Sequence, residues 1–139
     1  MCLTSIKLYK QDPALIKKGW KRGKLSYGWI NYDTHSMERV VTTPCFGFEI
    51  RCGIWVSDDS ETILRSDDDG PYESGFHVYA EPPPERFTSY VCFVREILAI
   101  GNEWDHGTVY VARQIYIPDP KKIFHRDFLI RLFGKRFLP

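Results

Sequence analysis

A histidine in a short aromatic strand is the residue of this sequence whose type and position best suit chemistry. His77 lies between Phe76 and Val78, a few residues after the acidic turn Asp67-Asp68-Asp69-Gly70. Imidazole changes its charge near neutral pH, so His77 could act as a general base, hydrogen-bond a ligand or bind a metal. The alternative is a half-buried histidine whose ring is satisfied by a neighbouring backbone group.

Several polar and aromatic side chains near this strand could form a ligand or partner surface together with the histidine. The acidic turn supplies carboxylates, the strand supplies a tyrosine, and a later strand supplies an arginine. An enzyme or small-ligand binder built here would require His77 and Arg113 to converge on one pocket. The candidate residues are Tyr72, His77, Tyr79, Arg113, Asp67, Asp68 and Asp69.

The acidic turn does not fit a known metal-binding loop. An EF-hand has a glutamate at its twelfth position, whereas the twelfth residue counted from Asp67 is Val78. The sequence also lacks a Cys-x-x-Cys pair, an HExxH helix, a nucleophile elbow and a phosphate loop. We therefore expect a solvated turn, with no metal, no cofactor and no catalytic residue, which favours a non-enzymatic protein without deciding the question.

Charge is distributed unevenly along the chain, although the net charge is +1. Residues 1–24 carry seven basic side chains against one acidic, and residues 119–139 carry six against two, giving +6 and +4. The segment 25–118 must then carry −9. This partition indicates an oriented charged surface, or basic ends that are attracted to the acidic middle.

The first basic segment also contains aromatic residues. Interleaved cations and rings can bind single-stranded nucleic acid through phosphate contacts and base stacking. Trp20 lies among four cations and is the best candidate for an exposed ring. A nucleic-acid-binding module would use Lys17, Lys18, Trp20, Lys21 and Arg22.

Length and composition predict one cytoplasmic domain. The 139 residues are 43% hydrophobic and 15% aromatic, which is ample for a core without metal or disulfide staples. No apolar run approaches the roughly 20 residues of a membrane span, and the N-terminus lacks the pattern of a secretory signal. The four cysteines are scattered and predict buried thiols in a reducing compartment.

Residues that alternate or cluster in the manner of β-strands cover much of the chain. The strand at 108–117 is apolar on both faces, which predicts a central position in the sheet. Gly28 interrupts another strand and predicts a bulge there. Strands are predicted at residues 3–9, 25–32, 45–56, 76–80 and 108–117.

Helical spacing follows the three prolines at 82–84. The apolar stripe consists of Phe87, Tyr90, Val91, Val94, Ile97 and Leu98, and it ends at a Gly-Asn stop. We therefore predict an amphipathic helix over about 85–100. A short helical turn is predicted at 13–19, and a C-terminal helix at 121–133.

Two families are similar to parts of this sequence. Met1-Cys2-Leu3 and Gly75-Phe76-His77-Val78-Tyr79, with the later strand Val109-Tyr110-Val111-Ala112-Arg113, resemble small uncharacterised phage and viral proteins. That resemblance implies a phage or mobile-element origin and a protein that binds and blocks a host factor. The Gly-aromatic-x-aromatic strand also resembles the ADP-ribosyltransferase clan, which implies a nucleotide-binding enzyme with a cleft around His77, although the clan's catalytic glutamate is not evident.

Together these patterns predict a single α+β domain. A mainly antiparallel sheet would carry the 85–100 helix on one face and the C-terminal helix at an edge, with 76–117 forming a β-α-β unit. The expected function is a non-catalytic binding or inhibitory protein that acts on a host protein or nucleoprotein through its charged surfaces. The alternatives are the nucleotide-binding enzyme and the nucleic-acid-binding module. We expect the host cytoplasm as location and no membrane contact.

Overall fold

A computed structural model describes residues 4–8, 15–31, 36–44, 48–59, 63–65, 71–84, 88–103 and 107–119. Within these ranges the regular structure is β-strand throughout, and no helix is present. The strands are β1 (Thr4–Leu8), β2 (Lys17–Arg22), β3 (Lys24–Asn31), β4 (Ser36–Thr42), β5 (Glu49–Arg51), β6 (Trp55–Ser57), β7 (Ile63–Arg65), β8 (Pro71–Glu73), β9 (Phe76–Tyr79), β10 (Ser89–Glu103) and β11 (Gly107–Tyr116).

Six of the strands form one antiparallel sheet in the order β1-β10-β2-β9-β11-β6, and β10 pairs with β11 as well. The ladders β10–β2, β2–β9, β9–β11 and β11–β10 therefore close into a ring of four strands. Two smaller antiparallel sheets accompany it, β3-β4-β5 and the hairpin β7-β8. Because the ring is closed, β2 and β9 pair with each other, and neither has an unpaired edge on that side.

The longest strand, β10, belongs to several ladders because it bends. It pairs with β2 over Ser89–Val94, with β1 near its end, and with β11 along most of its length. Glu96 has a positive φ of 55°, and the β11 register shifts between Ile97 and Ala99. A residue in the left-handed region together with a register shift is the geometry of a β-bulge, which bends and twists the strand.

The amphipathic helix predicted over 85–100 is wrong, because the described part of this segment, from residue 89 onward, is strand β10. The positive φ of Glu96 explains the helical spacing of its apolar residues. Tyr90, Val94 and Ile97 all pack in the same core cluster although they are four and three residues apart. A regular strand would need even spacing, and the left-handed residue between Val94 and Ile97 converts it into a pattern typical of a helix.

Other helical predictions are corrected in the same way. The turn expected at 13–19 is strand β2 from Lys17 onward, and the β-α-β unit at 76–117 is three antiparallel strands. The α+β class is therefore wrong, since the described chain is a mainly antiparallel β structure. The C-terminal helix predicted at 121–133 and the acidic turn at 67–70 lie outside the described residues.

Several strand predictions are confirmed. The aromatic strand at 76–80 is β9, and the strand at 108–117 is β11, which has β10 on one side and both β9 and β6 on the other. The register of β3 against β4 shifts between Tyr27 and Trp29, so the bulge expected at Gly28 is present. These strands could be predicted because their segments are rich in the β-branched and aromatic residues that favour strands.

Two hydrophobic clusters lie on opposite faces of the ring at the β2–β9 junction. The larger contains Val78, Cys92 and Ala112, and it extends to Val41 and Ile50 of the small β3-β4-β5 sheet. The smaller is a satellite of Tyr79, Ala99, Val109 and Val111, with Trp20 and Leu98 against it. We call the two sides of β2 and β9 the Val78 face and the Tyr79 face.

The small β3-β4-β5 sheet is tied to the chain end that follows β11. Arg39 on β4 forms an ion pair with Asp119, and Cys52 donates its backbone N–H to the Arg39 carbonyl over 2.9 Å. Gly53 donates its N–H to Ile117 in the same region, over 2.8 Å. These contacts fix the second sheet against the ring and leave the Tyr79 face on the far side of β2 and β9.

Candidate functional site

Strand β2 divides the predicted basic set between its two faces. Alternate residues of a strand point to the same side. Lys18, Trp20 and Arg22 therefore lie on the Tyr79 face, where Trp20 is directly opposite Tyr79 in the register. The ammonium of Lys18 is 5.5 Å from the centroid of the Trp20 ring, a cation–π contact. We call these three residues the β2 strip.

The β2 strip is accessible to solvent. Lys18 is exposed, and Trp20 and Arg22 are half-buried. Val91 lies across the ladder from Trp20 and keeps 41% of its surface exposed, which is high for an apolar strand residue. The strip thus presents a ring between two cations, bordered by an exposed aliphatic side chain.

The other two members of the basic set face the opposite way. Lys17 is paired with Val94 and lies on the Val78 face, as does Lys21, which is paired with Tyr90. The Lys21 ammonium donates a hydrogen bond to the backbone carbonyl of His77 over 3.0 Å, so it ties β2 to β9. Sequence reasoning grouped all five residues, whereas the strand separates them into three and two.

A buried carboxylate supports the end of the β2 strip. Glu103 keeps 6% of its surface exposed, and it accepts a hydrogen bond from the Tyr79 hydroxyl over 3.3 Å. Arg22 hydrogen-bonds the same hydroxyl group. Burial, and then the Glu103 carboxylate, raise the pKa of Tyr79, while Arg22 opposes the rise. Arg22 is therefore held in place at a site where its charge is partly balanced.

His77 is held as a neutral, structural side chain. Its Nδ1 is 3.1 Å from the Gly75 carbonyl oxygen, the geometry of an N–H donated to that carbonyl. Burial, and then the Lys21 cation, lower the pKa of His77 to about 4. A ring with this pKa is a weak base at neutral pH. The contacts match the backbone-satisfied histidine, one of the two alternatives that the sequence left open.

Two members of the predicted ligand surface lie near each other. His77 is opposite Val111 in the register, two residues from Arg113, and Arg113 donates to the Asp58 carbonyl over 3.3 Å. Tyr72 is on β8, opposite Leu64 in the register. Asp67, Asp68 and Asp69 lie outside the described residues. Tyr79 is brought to Arg22 of the other predicted set, a convergence that sequence order does not reveal.

The described thiols and carboxylates do not assemble a reactive centre. Burial, and then the Asp119 carboxylate, raise the pKa of Cys52 to about 11, and burial raises the pKa of Cys92 further. Thiols shifted in this direction are poor nucleophiles. In the portion of the chain with described coordinates, no group of three or more His, Cys, Asp and Glu side chains is placed to hold a metal, and no helix could span a bilayer.

A second cationic and aromatic cluster lies farther along the same face of the sheet. The Arg95 guanidinium is 4.1 Å from the centroid of the Trp55 ring, and its Nε donates to the Gln114 side-chain carbonyl. Tyr116 packs beside Trp55, with ring centroids 5.7 Å apart and planes tilted by 53°. The sequence does not reveal this cluster, because Trp55, Arg95 and Tyr116 come from three strands that are separated along the chain.

Continuous register pairs join the two clusters. Lys18 is opposite Phe93, Phe93 is opposite Tyr116, and Tyr116 is opposite Trp55. Directly paired residues share a face of the sheet. Phe93 and Tyr116 keep 2% and 7% of their surface exposed, so the two clusters are joined through buried side chains.

Comparison with known proteins found no matching family model, no matching curated protein and no matching solved structure. The function is therefore inferred from the side chains described above.

Proposed function

We propose that this protein is a non-catalytic binding protein and that its β2 strip holds single-stranded nucleic acid, free or within a host nucleoprotein complex. The observation that carries the proposal is the placement of Lys18, Trp20 and Arg22 on one exposed strand face, with the ring between the two cations. Cations that contact phosphates and rings that stack on bases are the two elements of sequence-tolerant single-strand binding.

The dimensions of the strip suit an extended ligand. Lys18 and Arg22 are four strand residues apart, which corresponds to about 13 Å between their α-carbons. A duplex keeps its bases stacked and offers none to Trp20, whereas a single strand can present both a phosphate and an unstacked base. The contact of Arg22 with the Tyr79 hydroxyl restrains its side chain, which reduces the entropy that binding would cost.

The setting that we propose comes from the sequence resemblance. A phage or mobile-element protein in the host cytoplasm would meet single-stranded nucleic acid in replication, transcription or translation complexes. Binding there would block a host factor by occupying its ligand, without any chemical step. The depressed pKa of His77 and the raised pKa of Cys52 are in keeping with a non-catalytic role.

The proposal is tested by fluorescence anisotropy with a labelled oligothymidylate. Lys18→Gln removes a charge from the strip, and Lys17→Gln removes the same charge from the opposite face of the same strand. Trp20→Leu removes the ring but keeps an apolar side chain against the satellite cluster. We expect Trp20→Leu to weaken binding about tenfold or more, Lys18→Gln to weaken it several-fold, and Lys17→Gln to leave it nearly unchanged.

Two results would contradict the proposal. Equal effects of Lys17→Gln and Lys18→Gln would mean that overall charge, and not the strip, attracts the ligand. An oligothymidylate that does not bind at low salt, together with a host protein that does and is released by Trp20→Leu, would assign the strip to a protein partner.

A further inference from the structure

We infer that the bound strand continues from the β2 strip across the sheet to Arg95 and Trp55, which would form a second cation and stacking position. This inference rests on the proposed function of the strip. It adds two residues that are far from Lys18 in sequence, on β10 and β6, and it assigns the ligand a direction. The ligand would cross the strands at an angle instead of following β2.

Both clusters lie on the same face of the sheet. Phe93 and Tyr116 link Lys18 to Trp55 through successive register pairs, so the two clusters lie on one side of the sheet. Three inter-strand steps separate β2 from β6, a distance of about 14 Å. A strand of about 4 nucleotides, the low end of single-strand site sizes, would cover both clusters.

The Arg95 side chain is restrained by its neighbours but keeps N–H donors for a ligand. Guanidinium has five N–H donors. Nε is used by Gln114, and the ring of Trp55 stacks on the group, but the terminal Nη1 and Nη2 have no acceptor among the described residues. Arg95 is half-buried, so its conformation is fixed by these contacts while four N–H donors remain for a ligand. A planar, preorganised fork of this kind suits the oxygens of a phosphate.

Both clusters contain a cation placed over a tryptophan ring. Lys18 lies over Trp20, and Arg95 lies over Trp55. Each pair combines a cation that can reach a phosphate with a ring that can accept a base. Phe93 and Tyr116, which link the two pairs in the register, are buried, so the ligand would contact the cations and rings of the two pairs and not these side chains. Two pairs of a cation and a ring on one face of the sheet suit a strand that repeats a phosphate and a base.

The experiment compares oligothymidylates of about 3 and about 12 nucleotides on the full chain, with variants at both clusters. Lys18→Gln and Trp20→Leu change the β2 strip. Arg95→Gln removes the fork, Trp55→Leu removes the second ring, and Lys17→Gln is the matched control. Thermal unfolding confirms that each variant is folded. We expect Arg95→Gln and Trp55→Leu to weaken binding of the longer oligomer by about fivefold or more and to leave the shorter one nearly unchanged.

Salt dependence gives a second readout. Each phosphate contact of a single strand contributes about −0.7 to the slope of log K against log salt concentration. Removing Arg95 should therefore reduce the slope for the longer oligomer by about 0.7 and leave the slope for the shorter one unchanged. Arg95→Lys keeps the charge but loses the fork and the stack, so it should preserve the slope while it lowers the affinity.

The outcomes separate the two proposals. If Lys18→Gln and Trp20→Leu weaken binding while Arg95→Gln and Trp55→Leu do not at either length, the path across the sheet is wrong and the β2 strip stands. If no variant weakens binding, both are wrong. If poly-glutamate binds in an Arg95-dependent manner and neither oligomer does, the second cluster belongs to an acidic protein partner and the inference is overturned.

Discussion

The hydroxyl of Tyr79 donates a hydrogen bond to a carboxylate oxygen of Glu103, a contact of 3.3 Å between residues 24 positions apart. It joins β9 to the end of β10 across β11, and Arg22 of β2 reaches the same hydroxyl. A buried carboxylate without donors costs far more than one that is fully bonded. This hydrogen-bond network therefore stabilises the ring of four strands and also contacts Arg22 of the β2 strip.

Tyr79→Phe should lower the free energy of unfolding by about 1 to 3 kcal/mol, because it removes a donor from a buried carboxylate. Glu103→Gln removes the charge but keeps an acceptor, so its cost should be smaller. Urea denaturation of the two single variants and the double variant gives the coupling energy. If the two changes are additive, the Tyr79 and Glu103 side chains do not stabilise each other.

Gly19→Ala should destabilise the fold by about 1 to 3 kcal/mol or more, because the ring leaves no room for a methyl group. A β-carbon at Gly19 would lie 2.3 Å from a methyl carbon of Val78 and 2.8 Å from the Tyr79 carbonyl oxygen. Gly107→Ala is the matched control, since nothing lies within 4 Å of its β-carbon and only its positive φ opposes the change. A melting temperature of Gly19→Ala equal to or above that of Gly107→Ala would show that β2 and β9 are farther apart.

The neutral state of His77 makes the fold sensitive to acid. Its pKa is about 4 in the folded chain and 6.5 without burial, so the unfolded chain binds the proton more tightly. Stability from this group is complete above pH 6.5 and is lost as pH falls toward 4. The loss should be about 2.5 kcal/mol between pH 7 and about pH 4.5.

Urea denaturation at these two pH values checks the effect. His77→Gln cannot titrate, so its loss of stability should be smaller than that of the wild type by the amount due to His77. Carboxylates titrate equally in both proteins and cancel in the comparison. An identical loss of stability in wild type and variant would mean that the pKa of His77 is the same in the folded and the unfolded chain.

Glu96→Gly should stabilise the protein by about 0.5 to 1 kcal/mol, because glycine adopts a positive φ without the penalty that a β-carbon adds. Glu49→Gly serves as the control, because it replaces an exposed glutamate in β5. There glycine relieves no strain, and the greater freedom of the unfolded chain should destabilise the protein by about 0.5 to 1 kcal/mol. Thermal unfolding of both variants gives the signs. If the two variants are destabilised equally, Glu96 does not occupy the left-handed region in solution.

The sequence predicted the strands whose side chains keep a simple period. Strands β3, β9 and β11 are rich in aromatic and β-branched residues, and even the bulge at Gly28 could be foreseen. Strand β10 could not, because Glu96 moves Ile97 to the same side as Val94 and produces the spacing of a helix. A positive φ at a glutamate has no local signal, since nothing in that residue type favours it.

The site was predicted in part for a similar reason. Basic and aromatic residues in 17–22 identified the segment, and assigning it as a strand would have separated Lys18 from Lys17 by alternation. Burial of Glu103 and the stack of Arg95 on Trp55 depend on ladders between distant strands. These contacts form only because the four-strand ring brings the strands together, and the ring requires the bend in β10. The spacing of residues within one segment therefore predicts neither the contacts nor the ring.

Strand β10 pairs with strands at very different distances along the chain, and these distances indicate an order of folding. The β10–β11 hairpin joins neighbouring segments and needs only a short loop to close, whereas the β2 ladder joins Lys21 to Tyr90, 69 residues away. The entropy of closing the longer loop must be met before its contacts form. We therefore expect the hairpin to form first, and β2 to dock later together with the still more distant β1, so that the β2 strip is completed in a late and slow step of folding.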